Sequence, residues 1–294
     1  MAEDSLEERR QKGRDVIARI RRQVGALPAE RVEALRIADP ETLESLQSVR
    51  RMLSQSMKGV ITDLYSTDTR FIYELIQNAE DNSYDRITSQ GQRPFLKFSL
   101  YPDRLVMDTN EDGFSEKDVE AICDANGSTK TQHQGYIGEK GIGFKSVFRV
   151  AKKVHIQSEP YSFSFAYSRD SPDDNDGLGM ITPIQEEYYQ LPPNVQTRFT
   201  FTLIAQSDFS KRVDDLNDIP DSLLLFLIKL RKLRLEIHHP SGNVSEVVYS
   251  YRRDNNRNLD VIVREELSNG KLESQQERTG DSSKGLLKHF GTQY

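Results

Sequence analysis

The chain is poor in the residues that would staple it, anchor it or load it with metal. Of its 294 residues one is cysteine, Cys123, and none is tryptophan. A single thiol excludes a disulfide framework and a CxxC metal site, and it suits a reducing compartment. It lies in the helix-like run DVEAIC, where a buried apolar role fits it. His133 is a lone histidine in a polar loop, and the other four, His155, His238, His239 and His289, pair with no cysteine or carboxylate at ligand spacing, so zinc is not expected. No run of 18 apolar residues exists, which excludes a predicted membrane-spanning helix, and the opening MAEDSLEERRQKGR is too charged for a secretory signal. A net charge of −6 gives no overall electrostatic case for nucleic acid. The expectation is an intracellular chain, cytoplasmic or nuclear.

What is present suffices for a folded body. With 36% hydrophobic residues, a chain of this length can hide about 75% of its unfolded surface, as one large domain with appendages or two modest ones. Residues 1–58 read as a helical extension. Val16, Ile17, Ile20, Val24 and Leu27 recur at three- and four-residue spacing, and Asp39-Pro40-Glu41 is a helix start with an aspartate cap and proline in the first turn. Their mixed charges predict a solvated outer face.

The stretch DTRFIYELIQNAEDN, residues 68–82, is the most informative. At 3.6 residues per turn Glu74, Asn78 and Asp81 fall on one stripe, while Phe71, Ile72, Leu75, Ile76 and Ala79 form the apolar side. A carboxylate, an amide and a second carboxylate along one face supply a base for a water, an oxygen ligand for a hard cation and a further acceptor. Taken alone, the same stripe also fits an ordinary solvated helix face.

Some sixty residues on comes GYIGEKGIGFKS, residues 135–146, followed by the apolar run VFRVA. Glycines at this density let the backbone approach an anion and aim successive N–H groups at it. The spacing is not that of a P-loop, because Phe144 intervenes before Lys145-Ser146, nor of GxGxxG, because Ser146 stands at the third glycine.

Five ordered motifs give these pieces a common meaning: ELIQNAEDN, NEDGF (Asn110 to Phe114), GSTK (Gly127 to Lys130), GYIGEKGIGFKS and Thr197-Arg198 ahead of a strand. Together, over about residues 60–205, they resemble the GHKL ATP-binding domain shared by DNA gyrase, the large heat-shock chaperones, MutL and sensor histidine kinases. The nearest resemblance is to the sacsin and No Vein branch, whose LYSxDxxFxxELxQNAxDN, NExGFS and GYIGxKGIGFKSVFRV patterns are matched here by LYSTDTRFIYELIQNAEDN, NEDGFS and GYIGEKGIGFKSVFRV. The resemblance implies an α/β, Bergerat-type two-layer sandwich: a mixed, mainly antiparallel sheet covered by helices on one face. It would occupy residues 59–237, with a helical extension before it and a β-rich extension over 238–294. It also implies ATP or ADP with Mg2+ as ligands. Glu74 would be the general base that orients water, and Asn78 the magnesium ligand. Asp81 would lie near the base edge or ordered waters, and Thr197 would help hold the adenine edge. Ser128, Thr129, Lys130, Gly138, Gly141, Ile142, Gly143, Phe144 and Lys145 would belong to the lid around the triphosphate. One position departs from the DxGxG pattern: aligning Gly113 with its last glycine puts Thr109 at the aspartate's place, leaving Asp108 or Asn110 as substitutes. A strap of amino-terminal helices closing a nucleotide-dependent homodimer is a further implication, and the greater length of that branch suggests an amino-terminal fragment.

The remaining sequence predicts strands at residues 95–100 and 105–107 around a Tyr101-Pro102-Asp103 turn, a capping-box helix from Ser115, and strands at 153–158, 161–167 and 199–203. A helix is expected around Leu223 to Leu230, then strands in LRLEI, VSEVVYSY and LDVIVREEL. The acidic loop SRDSPDDNDGLG lacks EF-hand spacing and reads as solvated surface. The function expected is slow, magnesium-dependent ATP hydrolysis with lid closure transmitted to an unidentified protein partner. The alternative is a nucleotide-gated interaction module without turnover.

Overall fold

A computed structural model describes residues 4–64, 70–124, 142–168, 176–204, 208–255, 259–281 and 286–293. The helices in chain order are α1 (Leu6–Gln23), α2 (Ala29–Ala38), α3 (Pro40–Leu64), α4 (Arg70–Asp81), α5 (Asp85–Ser89), α6 (Glu116–Cys123), α7 (Ile142–Lys145), α8 (Phe209–Asn217) and α9 (Leu223–Phe226). The strands are β1 (Phe95–Leu100), β2 (Arg104–Thr109), β3 (Ala151–Ser158), β4 (Tyr161–Ala166), β5 (Ile184–Gln185), β6 (Thr197–Leu203), β7 (Lys232–His238), β8 (Val244–Asp254), β9 (Leu259–Ser268), β10 (Lys271–Asp281) and β11 (Leu286–Gln293). The architecture is α/β, with mixed, mostly antiparallel strand pairing. The chain forms two compact units, residues 1–74 with 114–190 and residues 75–113 with 191–294, and the division falls inside α4.

The first unit is built from α1, α2, α3, α6 and α7 with strands β3, β4 and β5. Helix α1 starts at a Ser5–Glu8 capping box, as its sequence favours, and buries Ile17 and Ile20 against β4, β5 and α6. Arg10 pairs with Glu159 and Arg19 with Glu120 at 2.9 Å, which fixes the helix along that surface. Helix α3 packs on a 3-10 turn, Asp176–Met180, and buries Leu43, Ser54 and Met57. The amino-terminal helices therefore supply core to this unit. Helix α6 begins with the predicted Ser115–Asp118 capping box and ends at Cys123. Strands β3 and β4 form an antiparallel pair from Lys153↔Ala166 to Ser158↔Tyr161, with Val154, Ile156, Phe163 and Phe165 fully buried.

The second unit is an eight-stranded arrangement in the order β11, β10, β9, β8, β7, β1, β2, β6. All neighbours are antiparallel except β1 and β7, whose parallel register runs from Phe95↔Lys232 to Leu100↔Ile237. Alternation along β1 buries Leu96, Phe98 and Leu100 on one face, as period-two patterning requires. Strands β8 to β11 continue the same sheet from β7 as successive antiparallel neighbours. The helix expected around Leu223 to Leu230 is only the single turn α9, after which Leu227 is already extended. Its physical cause is Glu80, whose carboxylate accepts the backbone N–H of Lys229 at 2.7 Å and of Leu230 at 2.9 Å, holding that segment open. Helix α8, capped by Asp208, has no counterpart among the sequence expectations; its short apolar pattern around Leu216 was too weak to announce it.

Candidate functional site

Helix α4 fulfils the periodicity argument. Phe71, Ile72, Leu75, Ile76 and Ala79 are all buried, while Glu74, Asn78 and Asp81 remain half-buried on the adjoining stripe. Its carboxyl end is closed by Lys229, whose Nζ donates to the carbonyls of Asn82 at 2.7 Å and Asp81 at 3.1 Å, and by the Tyr84 hydroxyl on the Ala79 carbonyl at 2.8 Å. A cation at the negative end of a helix is the favourable placement. Burial raises the Tyr84 phenol well above its ordinary range, so it remains a donor throughout physiological pH.

Within the first unit, Gly143 lies directly against the Glu74 carboxylate. A methyl group built on Gly143 would collide with Glu74 Oε2, and the carboxyl carbon is 3.1 Å from the same position. Two stretches some seventy residues apart in sequence thus meet at the carboxylate, and only glycine leaves room for it. Ser146 Oγ donates to the Gly143 carbonyl at 2.6 Å, which fixes this end of the glycine-rich segment. Phe144, Val147 and Phe148 are buried and act as its anchor.

Lys145 is fully buried. Its Nζ donates to the Ile122 carbonyl at the end of α6 and lies 4.9 Å from the centre of the Phe165 ring. Burial lowers its ammonium pKa to about 8, and burial pushes the nearby Cys123 thiol up to about 12. The thiol is therefore an apolar side chain, as expected, and the lysine sits where it caps α6 in this conformation. Of the other lid residues, Ser128, Thr129, Lys130, Gly138 and Gly141 lie outside the described residues, as does the side chain of Ile142.

In the second unit, strand alternation sorts the residues of the NEDGF region. Asp108 forms a two-pronged ion pair with Arg198, at 2.7 and 2.8 Å, on the outer face of the sheet. Thr109 faces the other way, opposite Thr197 in register, and both are fully buried. Among the described residues the Thr109 hydroxyl has no hydrogen-bond partner. Asn110 secures the start of β1, accepting from Phe95 N at 2.8 Å and donating to the Arg93 carbonyl at 3.0 Å. Asp112 caps α5 from a distance: burial pushes its carboxyl up, but bonds from Ser83 Oγ and the N–H groups of Arg86 and Asp85 outweigh that and hold it below the ordinary range. Gly113 has φ +94°, a backbone state that favours glycine. Sequence reasoning missed Glu80, whose role depends on chain 148 residues or more away and leaves no local signal.

A family model described as the sacsin domain matches residues 50–163. Protein NO VEIN of Arabidopsis thaliana is 41% identical over 126 residues, which is 43% of this chain and 4% of that protein. The chain thus spans a small part of the relative's length. The sacsin-domain match covers α4, the NEDGF turn and the glycine-rich segment, and it stops short of Thr197. No described helix is long and apolar enough to cross a membrane.

Proposed function

We propose that this chain is a GHKL-type module with a Bergerat layout that binds ATP with magnesium and hydrolyses it slowly. The observation that carries the reading is the seat of Gly143 on the Glu74 carboxylate, which brings the proposed base to the glycine-rich segment within the first unit. Among the described residues no three His, Cys, Asp or Glu side chains gather as a metal cage. The donor chemistry fits a hard cation that takes one protein oxygen, from Asn78, and completes its shell with phosphate and water. Magnesium, when bound, would neutralise phosphate charge.

The remaining work falls to this chain's own groups. Glu74 orients a water for in-line attack on the γ-phosphorus and accepts its proton, while backbone N–H groups of the glycine segment stabilise charge on the phosphoryl oxygens. Thr109 and Thr197 offer hydroxyls to the adenine edge in place of the usual aspartate. With Gly143 lying on Glu74, movement of that segment controls access of water to the carboxylate. Closure of the lid is then the signal read by a protein partner, including a second copy of the chain.

The test is a melting-temperature titration with ATP and ADP, with and without magnesium, followed by phosphate release. A ligand at 100 times its dissociation constant adds about 2.7 kcal/mol to the folded state. Glu74→Ala is expected to keep the nucleotide-induced rise and to lower phosphate release by about 100-fold or more. Equal phosphate release from wild type and Glu74→Ala would leave a nucleotide-gated module without turnover, and no rise with any nucleotide would end the proposal.

A further inference from the structure

The outer face of the second unit carries a trough that the nucleotide reading does not use. Across β7, β1, β2 and β6, one row of the register places Arg234, Lys97, Asp108 and Arg198 side by side. Two residues along, the row is Glu236, Ser99, Val106 and Thr200, and beyond it stand Tyr101 and Arg104. The short side chains of Ser99, Val106 and Thr200, between two rows of long ones, make a channel, and four residues at about 3.4 Å each set its walls about 14 Å apart. The cavity measures about 410 Å³, with Ser99, Val106 and Thr200 at its floor and Lys232 at its rim.

Five cations and the carboxylate of Asp108 line this cavity, and Glu236, Glu246 and Asp103 flank it as partners of Lys97, Arg234 and Arg104, in a chain whose net charge is −6. Several are held in place from the side. Asp108 grips Arg198, Glu236 holds Lys97 at 3.0 Å, and Glu246 holds Arg234 at 2.6 Å. Lys232 is exposed and makes no ion pair with any described residue, and the Asp103 partner of Arg104, at 3.1 Å, is itself largely exposed. These two are the cations most ready to change partners. Tyr101 is stacked on His238 at 4.1 Å with an interplanar angle of 11°, and the Arg104 guanidinium lies 4.1 Å over its ring. Both faces of the ring are occupied, so it offers no surface to a nucleobase, and a single-stranded nucleic acid loses the stacking that such platforms provide.

We propose that this trough binds a compact polyphosphorylated small molecule of the inositol polyphosphate class. Phosphates spaced around a small ring match cations converging from two walls, and arginine and lysine give them charge-assisted hydrogen bonds. The cavity volume lies in the range of small-molecule sites. The site is independent of the nucleotide reading, since none of Lys97, Arg104, Lys232 and Arg234 has a part in it.

Titration calorimetry of the 294-residue chain with inositol hexakisphosphate in 0.15 M salt tests the site. Saturable binding of one equivalent is expected, weakened about tenfold or more by Arg104→Ala with Lys232→Ala. Thr200→Glu, which places an anion on the floor, should abolish it. Both variants should melt as wild type does and keep any ATP-induced rise, so a failure of nucleotide binding would not be mistaken for a failure here. Absence of saturable heat, affinity unchanged by both variants, equal displacement by sulfate at matched ionic strength, or tighter binding of a single-stranded RNA oligonucleotide would each overturn the assignment.

Discussion

The two faces of the sheet in the second unit are written by the same few strands and do opposite things. On β1, Leu96, Phe98 and Leu100 face the core, while Lys97 and Ser99 line the outer trough. On β2, Thr109 is on the buried side and Asp108, one residue earlier, on the outer side with Arg198. A one-residue step therefore separates a structural ion pair from a buried hydroxyl beside Thr197. Asp108 is thereby turned away from the face that carries Thr109 and Thr197.

The largest expected effect breaks the inner face. Phe98 is fully buried, and Phe98→Ala should cost about 3–5 kcal/mol in denaturant unfolding, whereas neighbouring Ser99→Ala should cost under about 1 kcal/mol. A similar loss at both positions would mean that the faces are not distinct.

The next effect tests the proposed placement of a nucleotide against the inner face. Asp108→Asn removes the charge opposite Arg198 and should lower stability by about 1–3 kcal/mol while leaving intact the melting shift that the proposed ATP binding would give. Thr109→Val, which keeps shape and deletes the hydroxyl, should reduce that shift with little loss of stability. The reverse pattern, with the shift lost in Asp108→Asn and kept in Thr109→Val, would move the site to the outer face.

The smallest effect carries the contrast into the first unit, where a cation is on the buried side. Lys145 has a folded pKa of about 8, below its ordinary 10.5, so above pH 8 the unfolded chain binds more protons and stability rises with pH. Cys123 has a folded pKa of about 12, above its ordinary 9.0, so stability falls once the unfolded thiol ionises. Stability should rise between pH 8 and 9 and flatten above it. Cys123→Ala should extend the rise toward pH 10, and Lys145→Met should remove it, as followed by urea unfolding at half-unit steps. A rise that persists in Lys145→Met would assign it to another group.

Much of this was legible in the linear chain. The α4 stripe, the hairpin of β1 and β2, the capping box of α6 and the pairing of β3 with β4 all rest on interactions within a few residues, and local periodicity reports those faithfully. The sacsin and No Vein resemblance was equally local, carried by ordered short motifs. The length of α9 and the role of Glu80 were not legible, because a carboxylate in α4 reaches backbone donors far along the chain.

By itself, then, the sequence determined which residues could be buried together and which motif held the carboxylate, the amide and the glycines. Only the tertiary structure decided that Gly143 rests on Glu74, that Lys145 caps α6, and that Asp108 points away from Thr109. The physical reason is that a motif fixes residue types and spacing, while strand register and long-range packing fix the direction in which each side chain leaves the backbone.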